Sequence, residues 1–121
     1  MKKLFLPVAI FIGSATALSA QKDSDSLFVL QYTPGSRWDH QAEAADQPFF
    51  GVHSSVMSRL RKEKYIRVGG LYSDKGFMLV KAPDRAKLWE LLQADSTLNH
   101  DIFRAEIFPF YIFYEGCVEE N

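Results

Sequence analysis

The segment Gln47-Pro48-Phe49-Phe50-Gly51-Val52-His53-Ser54-Ser55-Val56-Met57-Ser58-Arg59-Leu60 decides how this chain is read. Phe50, His53, Met57 and Leu60 recur at helical spacing and form one stripe, with Phe49, Val52 and Val56 beside it. Asp46 or Gln47 would cap this helix, and Pro48 would sit in its first turn, where a missing N–H costs nothing. One histidine therefore points inward from the first turn or two of an amphipathic helix. Arg67-Val68-Gly69-Gly70-Leu71-Tyr72-Ser73-Asp74 follows and turns the chain back as a strand.

Upstream, Ser26 to Tyr32 is rich in β-formers and ends at Thr33-Pro34-Gly35, which marks a first strand. Both of its faces, Leu27-Val29-Gln31 and Phe28-Leu30-Tyr32, are largely apolar, so both sides are expected to be covered. Ser36 to Asp46 is a polar loop, long for so small a domain, and contains Trp38, Asp39 and His40. Downstream, Ile66 to Leu71 and Gly76 to Val80 read as two strands around a turn at Tyr72 to Lys75. Pro83 would open a second helix running to about Asp95, with Leu88, Leu91, Leu92 and Asp95 in one stripe. Thr97 to Ile102 reads as a connector. Arg104 to Tyr114 reads as a long aromatic last strand, which Pro109 bends or places on an edge.

The order βαββαβ predicts an α+β, ferredoxin-like domain: a four-stranded antiparallel sheet with two helices on one face. In that arrangement the two helices run antiparallel, and the start of the first lies near the end of the second. His53 and Asp95 should then meet. The opposite sheet face would expose a large apolar patch, which a second copy related by a two-fold axis would cover, giving a homodimer.

At 121 residues the chain holds one folded domain. Met1 to Ala20 stands apart from it. Lys2 and Lys3, the apolar run Leu4 to Ile12 and the small residues Ser14 to Ala20 make a secretory signal peptide, leaving residues 21–121 as the domain. The apolar run falls short of the about 20 residues that span a bilayer, and no cysteine follows it to carry a lipid. A periplasmic or secreted protein with no stable membrane anchor after cleavage is expected. Cys117, the only cysteine, sits in an acidic tail and can form no intramolecular disulfide. The net charge of −1 shows no basic excess, and Arg59, Arg61, Lys62 and Lys64 read as a solvated helix flank rather than a nucleic-acid surface.

Two readings of His53 stand side by side. A histidine near the positive end of a helix dipole is suited to remain a neutral ring, and a carboxylate partner would make it a general base. Alternatively, His53 and Asp95 merely satisfy each other in the core. Trp38 and Gln47 are candidates to line a pocket mouth, as an aromatic wall and an orienting amide. Equally, Trp38 could plug the loop and Gln47 could bond the helix entry. Gly70 is a candidate ligand-binding position, although Gly69 and Gly70 inside a strand pattern more simply permit close backbone approach or a bulge. Asp74, in the turn beyond, is a further candidate and the reserve partner for His53. His40, His53 and His100 match no zinc spacing, and no metal is assigned. No Gly-rich phosphate loop, Walker pattern or nucleophile elbow occurs, so no cofactor is assigned either.

The chain resembles the YCII-related (YciI-like) domain family of the dimeric α/β-barrel superfamily, over roughly Leu27 to Phe113. The matching pieces are Tyr32-Thr33-Pro34-Gly35-Ser36-Arg37-Trp38, then Asp46-Gln47-Pro48 with His53, Met57 and Leu60. Gly69-Gly70 with Asp74 follows, then Ala94-Asp95-Ser96 and Ile102 to Phe110. The resemblance implies a His–Asp pair in a pocket between helices and sheet, with His53 the matching histidine and Asp95 the best aspartate. It also implies small-molecule chemistry of a lyase or dehydrohalogenase kind on small cyclic or aromatic compounds; with His53 as base and Asp95 as orienter, a lyase- or isomerase-like enzyme is the first expectation. A non-catalytic ligand-binding module and a dimeric interaction module are the alternatives.

Overall fold

The structure is a computed structural model that describes residues 25–119. The signal peptide expected at residues 1–20 lies outside the described residues. Four strands are present: β1 (Ser26–Pro34), β2 (Ile66–Tyr72), β3 (Lys75–Ala82) and β4 (Phe103–Pro109). Helix α1 (Phe50–Lys62) follows a single 3-10 turn at Ala44–Asp46; α2 (Arg85–Leu92) and the short α3 (Ser96–Asn99) lie between β3 and β4. The sheet is open and antiparallel, in the order β2-β3-β1-β4. Among the described residues this is an α+β arrangement with a four-stranded antiparallel sheet and three helices, compatible with a ferredoxin-like fold. Among the described residues no helix is long and apolar enough to cross a membrane.

Period-2 alternation divides the two faces of β1. Phe28, Leu30 and Tyr32 are buried, and they share one core with Val56 and Leu60 of α1 and Leu88 and Leu92 of α2. Both longer helices therefore cover the same sheet face. On the other face the register sets Val29 between Leu79 of β3 and Phe108 of β4. Phe77 and Tyr72 meet on that face, where the Tyr72 hydroxyl donates to Gln31. Phe108 is 45 % exposed there, and Leu79 lies beside the segment Phe110 to Gly116.

Several boundaries differ from the sequence expectation, each for a local reason. Helix α1 starts at Phe50 with Phe49, not Asp46 or Gln47, at the cap position, because Phe49 adopts a left-handed conformation (φ 64°) that breaks the helix before it. Pro48 lies outside the helix. Arg59, Arg61 and Lys62 fall in its last turn, where positive charge suits the dipole. Helix α2 starts two residues after Pro83, capped by the Asp84 carboxylate, which accepts from the Lys87 N–H at 2.8 Å. It ends at Leu92 rather than near Asp95, and α3, from Ser96 to Asn99, overlaps the expected connector. Strand β4 stops at Pro109, which has no N–H to continue the ladder; the Phe110 N–H still donates to the Leu27 carbonyl at 3.0 Å. As the Pro109 signal suggested, β4 is an edge strand.

Candidate functional site

Asp95 is wholly buried and does two jobs at once. As the N-cap of α3 it accepts from the Thr97 N–H at 3.0 Å and the Thr97 hydroxyl at 2.6 Å, both through Oδ1. Its Oδ2 is held by His53 Nδ1 at 2.7 Å and by the Tyr32 hydroxyl at 3.0 Å. Four donors thus surround one carboxylate, which is how a charge tolerates full burial. Burial by itself pushes the carboxyl up. The hydrogen bonds from His53 and Thr97, the attraction of His53 and the Tyr32 hydroxyl outweigh it, and the net value lies below the ordinary carboxylate range. Burial, then the Asp95 charge and the shared hydrogen bond, drive the Tyr32 phenol far above its usual value. Tyr32 therefore stays protonated and acts as a donor.

His53 comes from the second turn of α1, and its side chain is 13 % exposed. Tyr32 meets the ring edge-on at 4.9 Å between centroids, with Phe103 at 5.0 Å and Phe50 at 5.7 Å. These contacts leave the imidazole little freedom to rotate. In the neutral ring, Nδ1–H donates to Asp95 and Nε2 carries the lone pair. Among the described residues Nε2 has no hydrogen-bond partner. His53 lines a cavity of about 520 Å³ together with Tyr32, Trp38, Phe50, Met78 and Phe103. That size is within the usual range for small-molecule sites.

A second cluster holds the cavity wall. The Gly35 N–H donates to the Ile102 carbonyl at 2.8 Å, and the Arg37 N–H donates to the Asp101 carbonyl at 2.9 Å. The Asp101 carboxylate accepts from the Ser36 N–H and hydroxyl and from Arg104. Arg104 first, then Ser36, hold that carboxyl down to about 2. This clasp ties the start of the long loop to the start of β4, and so sets Trp38 against Phe103 at 5.2 Å.

The structure brings some of the expected site residues together and separates others. His53 and Asp95 meet, and Asp74 does not reach the pair. It lies at the cavity rim in the β2–β3 turn and bonds Lys75 Nζ at 3.0 Å. Trp38 lines the cavity. Gln47 does not: its amide is buried and bonds Asp39 N–H, the Asp39 carbonyl and the Ala42 carbonyl, closing the loop on itself. A buried loop backbone needs such a partner, and the amide supplies both polarities. Gly70 pairs with Phe77 and so faces away from His53, where an added Cβ would meet nothing within 4 Å. The close approach falls instead at Gly69, whose Cβ would lie 3.3 Å from Met78 Cγ, and the register irregularity lies between Ile66 and Val68. Tyr32, Phe50, Phe103 and Thr97 are site residues that sequence reasoning did not assign. The readable signals were a tyrosine on an otherwise apolar strand face, which needs a hydroxyl partner, and the Asp95-Ser96-Thr97 cap pattern.

Comparison with family models, with curated proteins and with solved structures gives no match.

Proposed function

We propose that the chain is an exported, YCII-like protein whose His53–Asp95 pair acts as a general base on a small molecule. The observation that carries this is the pairing itself. A buried, four-fold hydrogen-bonded Asp95 holds Nδ1, and among the described residues Nε2 has no partner, on a residue that lines a cavity. A substrate C–H proton passes to Nε2, and Asp95 stabilises the imidazolium that forms. The electron pair left behind expels a leaving group in lyase or dehydrohalogenase chemistry, or is reprotonated at another carbon in isomerase chemistry. His53→Ala should lower turnover by about 10²–10⁴-fold with circular dichroism unchanged. Turnover within twofold of the parent would end the catalytic reading. The aromatic walls also suit a binding module that performs no chemistry, and affinity indifferent to His53 would select that reading.

The same proposal covers assembly and location. The βαββαβ core with its added α3 is read as the dimeric α/β-barrel type, two copies meeting through the sheet face that bears Val29, Leu79 and Phe108. Exported protein recovered from a periplasm should begin between Leu18 and Gln21 by intact mass and scatter light as a dimer at micromolar concentration. A retained Met1 sinks export, and a stable monomer sinks the dimer.

A further inference from the structure

The cavity walls sort possible ligands by charge. Among the described residues no lysine or arginine lines the cavity, whereas Glu43 and Asp74 do. Asp74 is ion-paired with Lys75 at 3.0 Å. Glu43 has no ion-pair partner among the described residues, and its side chain makes no capping bond to the 3-10 turn that it precedes. A third carboxylate, Asp95, stands directly behind His53 at 2.7 Å. Trp38, Phe50 and Phe103 supply π faces around the same space, with Trp38 and Phe103 5.2 Å apart and tilted by 47°. His53 Nε2 offers a lone pair. The chamber therefore holds aromatic faces, an acceptor nitrogen and more carboxylates than cations: among the described residues the His40 ring is the one lining side chain besides His53 that can carry positive charge, and no lysine or arginine lines it.

We propose that this cavity selects a compact organic cation, a protonated or quaternary amine borne on a small ring, over a carboxylate or phosphate of similar size. A cation within about 6 Å of a ring centroid is attracted by the ring quadrupole, more strongly for tryptophan than for phenylalanine. A carboxylate ligand would meet those rings at their negative faces, find no lining guanidinium or ammonium (the Lys75 ammonium is engaged by Asp74, and only the His40 ring could pair with it), and be repelled by Glu43 and Asp95. The inference rests on the cavity being the functional site, and it names the class of molecule that the His53 base would act on.

The test uses three probes of similar size at pH 7.5 and fixed ionic strength: benzyltrimethylammonium, benzyl alcohol and benzoate. Binding is followed by two-dimensional NMR at the Trp38 indole and the cavity backbone amides. Benzyltrimethylammonium should bind about tenfold tighter than benzyl alcohol, with benzoate weakest. In Glu43→Gln the cation-to-alcohol ratio should fall by about threefold while the alcohol's affinity holds, as removal of one exposed charge allows. In Trp38→Leu the cation should weaken more than benzoate. Benzoate binding as tightly as the cation, a ratio that ignores Glu43→Gln, or no cavity shifts from any probe at millimolar concentration would each overturn the proposal. A cation preference without His53-dependent turnover supports the charge selection and removes only the catalytic reading. His53-dependent turnover of anionic compounds overturns the charge selection and keeps the base.

Discussion

Asp95→Ala is expected to lower stability by about 3–5 kcal/mol, the scale for removing one partner of a buried charged cluster. The loss strands three buried side-chain donors at once: the Tyr32 hydroxyl, the Thr97 hydroxyl and His53 Nδ1–H. It also uncaps α3. In a domain of this size the melting temperature should fall by roughly 15 °C or more. Asp95→Asn is the gentler probe. Its amide can donate to His53 Nδ1, which moves the ring proton to Nε2 and removes the lone pair from the cavity, so under the proposed general-base function turnover should drop while most of the fold survives. Acid supplies a further signature. The folded Asp95 carboxyl lies below its unfolded value of about 3.9, so its contribution is fully present above that pH and is lost as pH falls through the folded value. The stability gap between parent and Asp95→Asn should therefore narrow below about pH 4. A gap that stays constant down to pH 2 in urea titrations would mean that the carboxylate is not held as described.

Gly35→Ala is the second large effect, expected at about 3 kcal/mol, the upper part of the range for overpacking. The new Cβ would overlap the Asp101 carbonyl oxygen, and would lie 2.7 Å from that carbonyl carbon and 2.8 Å from Asp101 Oδ1. Two of these atoms are backbone, so no side-chain rotation relieves the clash. The crossing would have to open, stretching the Gly35-to-Ile102 and Arg37-to-Asp101 hydrogen bonds. Trp38 and Phe103 would then move apart, so ligand affinity should fall along with melting temperature. Gly51→Ala is the matched control: it lies in α1 with nothing within 4 Å, and should gain about 0.5–1 kcal/mol. Equal effects of the two substitutions would show that the crossing is not close.

Short-range physics made much of the fold legible. The β-formers of residues 26–32 marked β1, although two apolar faces did not say which would meet the helices, and α1 has its period in Phe50, Val56, Met57 and Leu60. These patterns report what each segment must bury, and a short segment suffices to read them. His53 is on the inward stripe for the same reason. The alternation of strand and helix then leaves few topologies, because connections are short and crossovers right-handed. The basic last turn of α1 and the edge placement of β4 follow from local chemistry too.

The tertiary structure alone decided what surrounds His53. The periodic stripe of α2 suggested that Asp95 ended that helix, yet the chain leaves the helix at Leu92 and Asp95 caps α3 instead. The meeting of His53 with Asp95 therefore depends on where a three-residue link turns. Tyr32 reaches Asp95 across 63 residues of sequence, and Phe103 reaches His53 across a strand pairing. Such contacts depend on register and on helix placement, which no local window contains. Gln47 and Gly70 show the converse. An amide beside a helix start and a glycine beside a turn have the composition of ligand contacts, but a buried loop backbone claimed the amide and strand pairing turned the glycine to the other face. Residue type set what each group could do; the packing of β1, α1 and α3 chose which of them share one cavity.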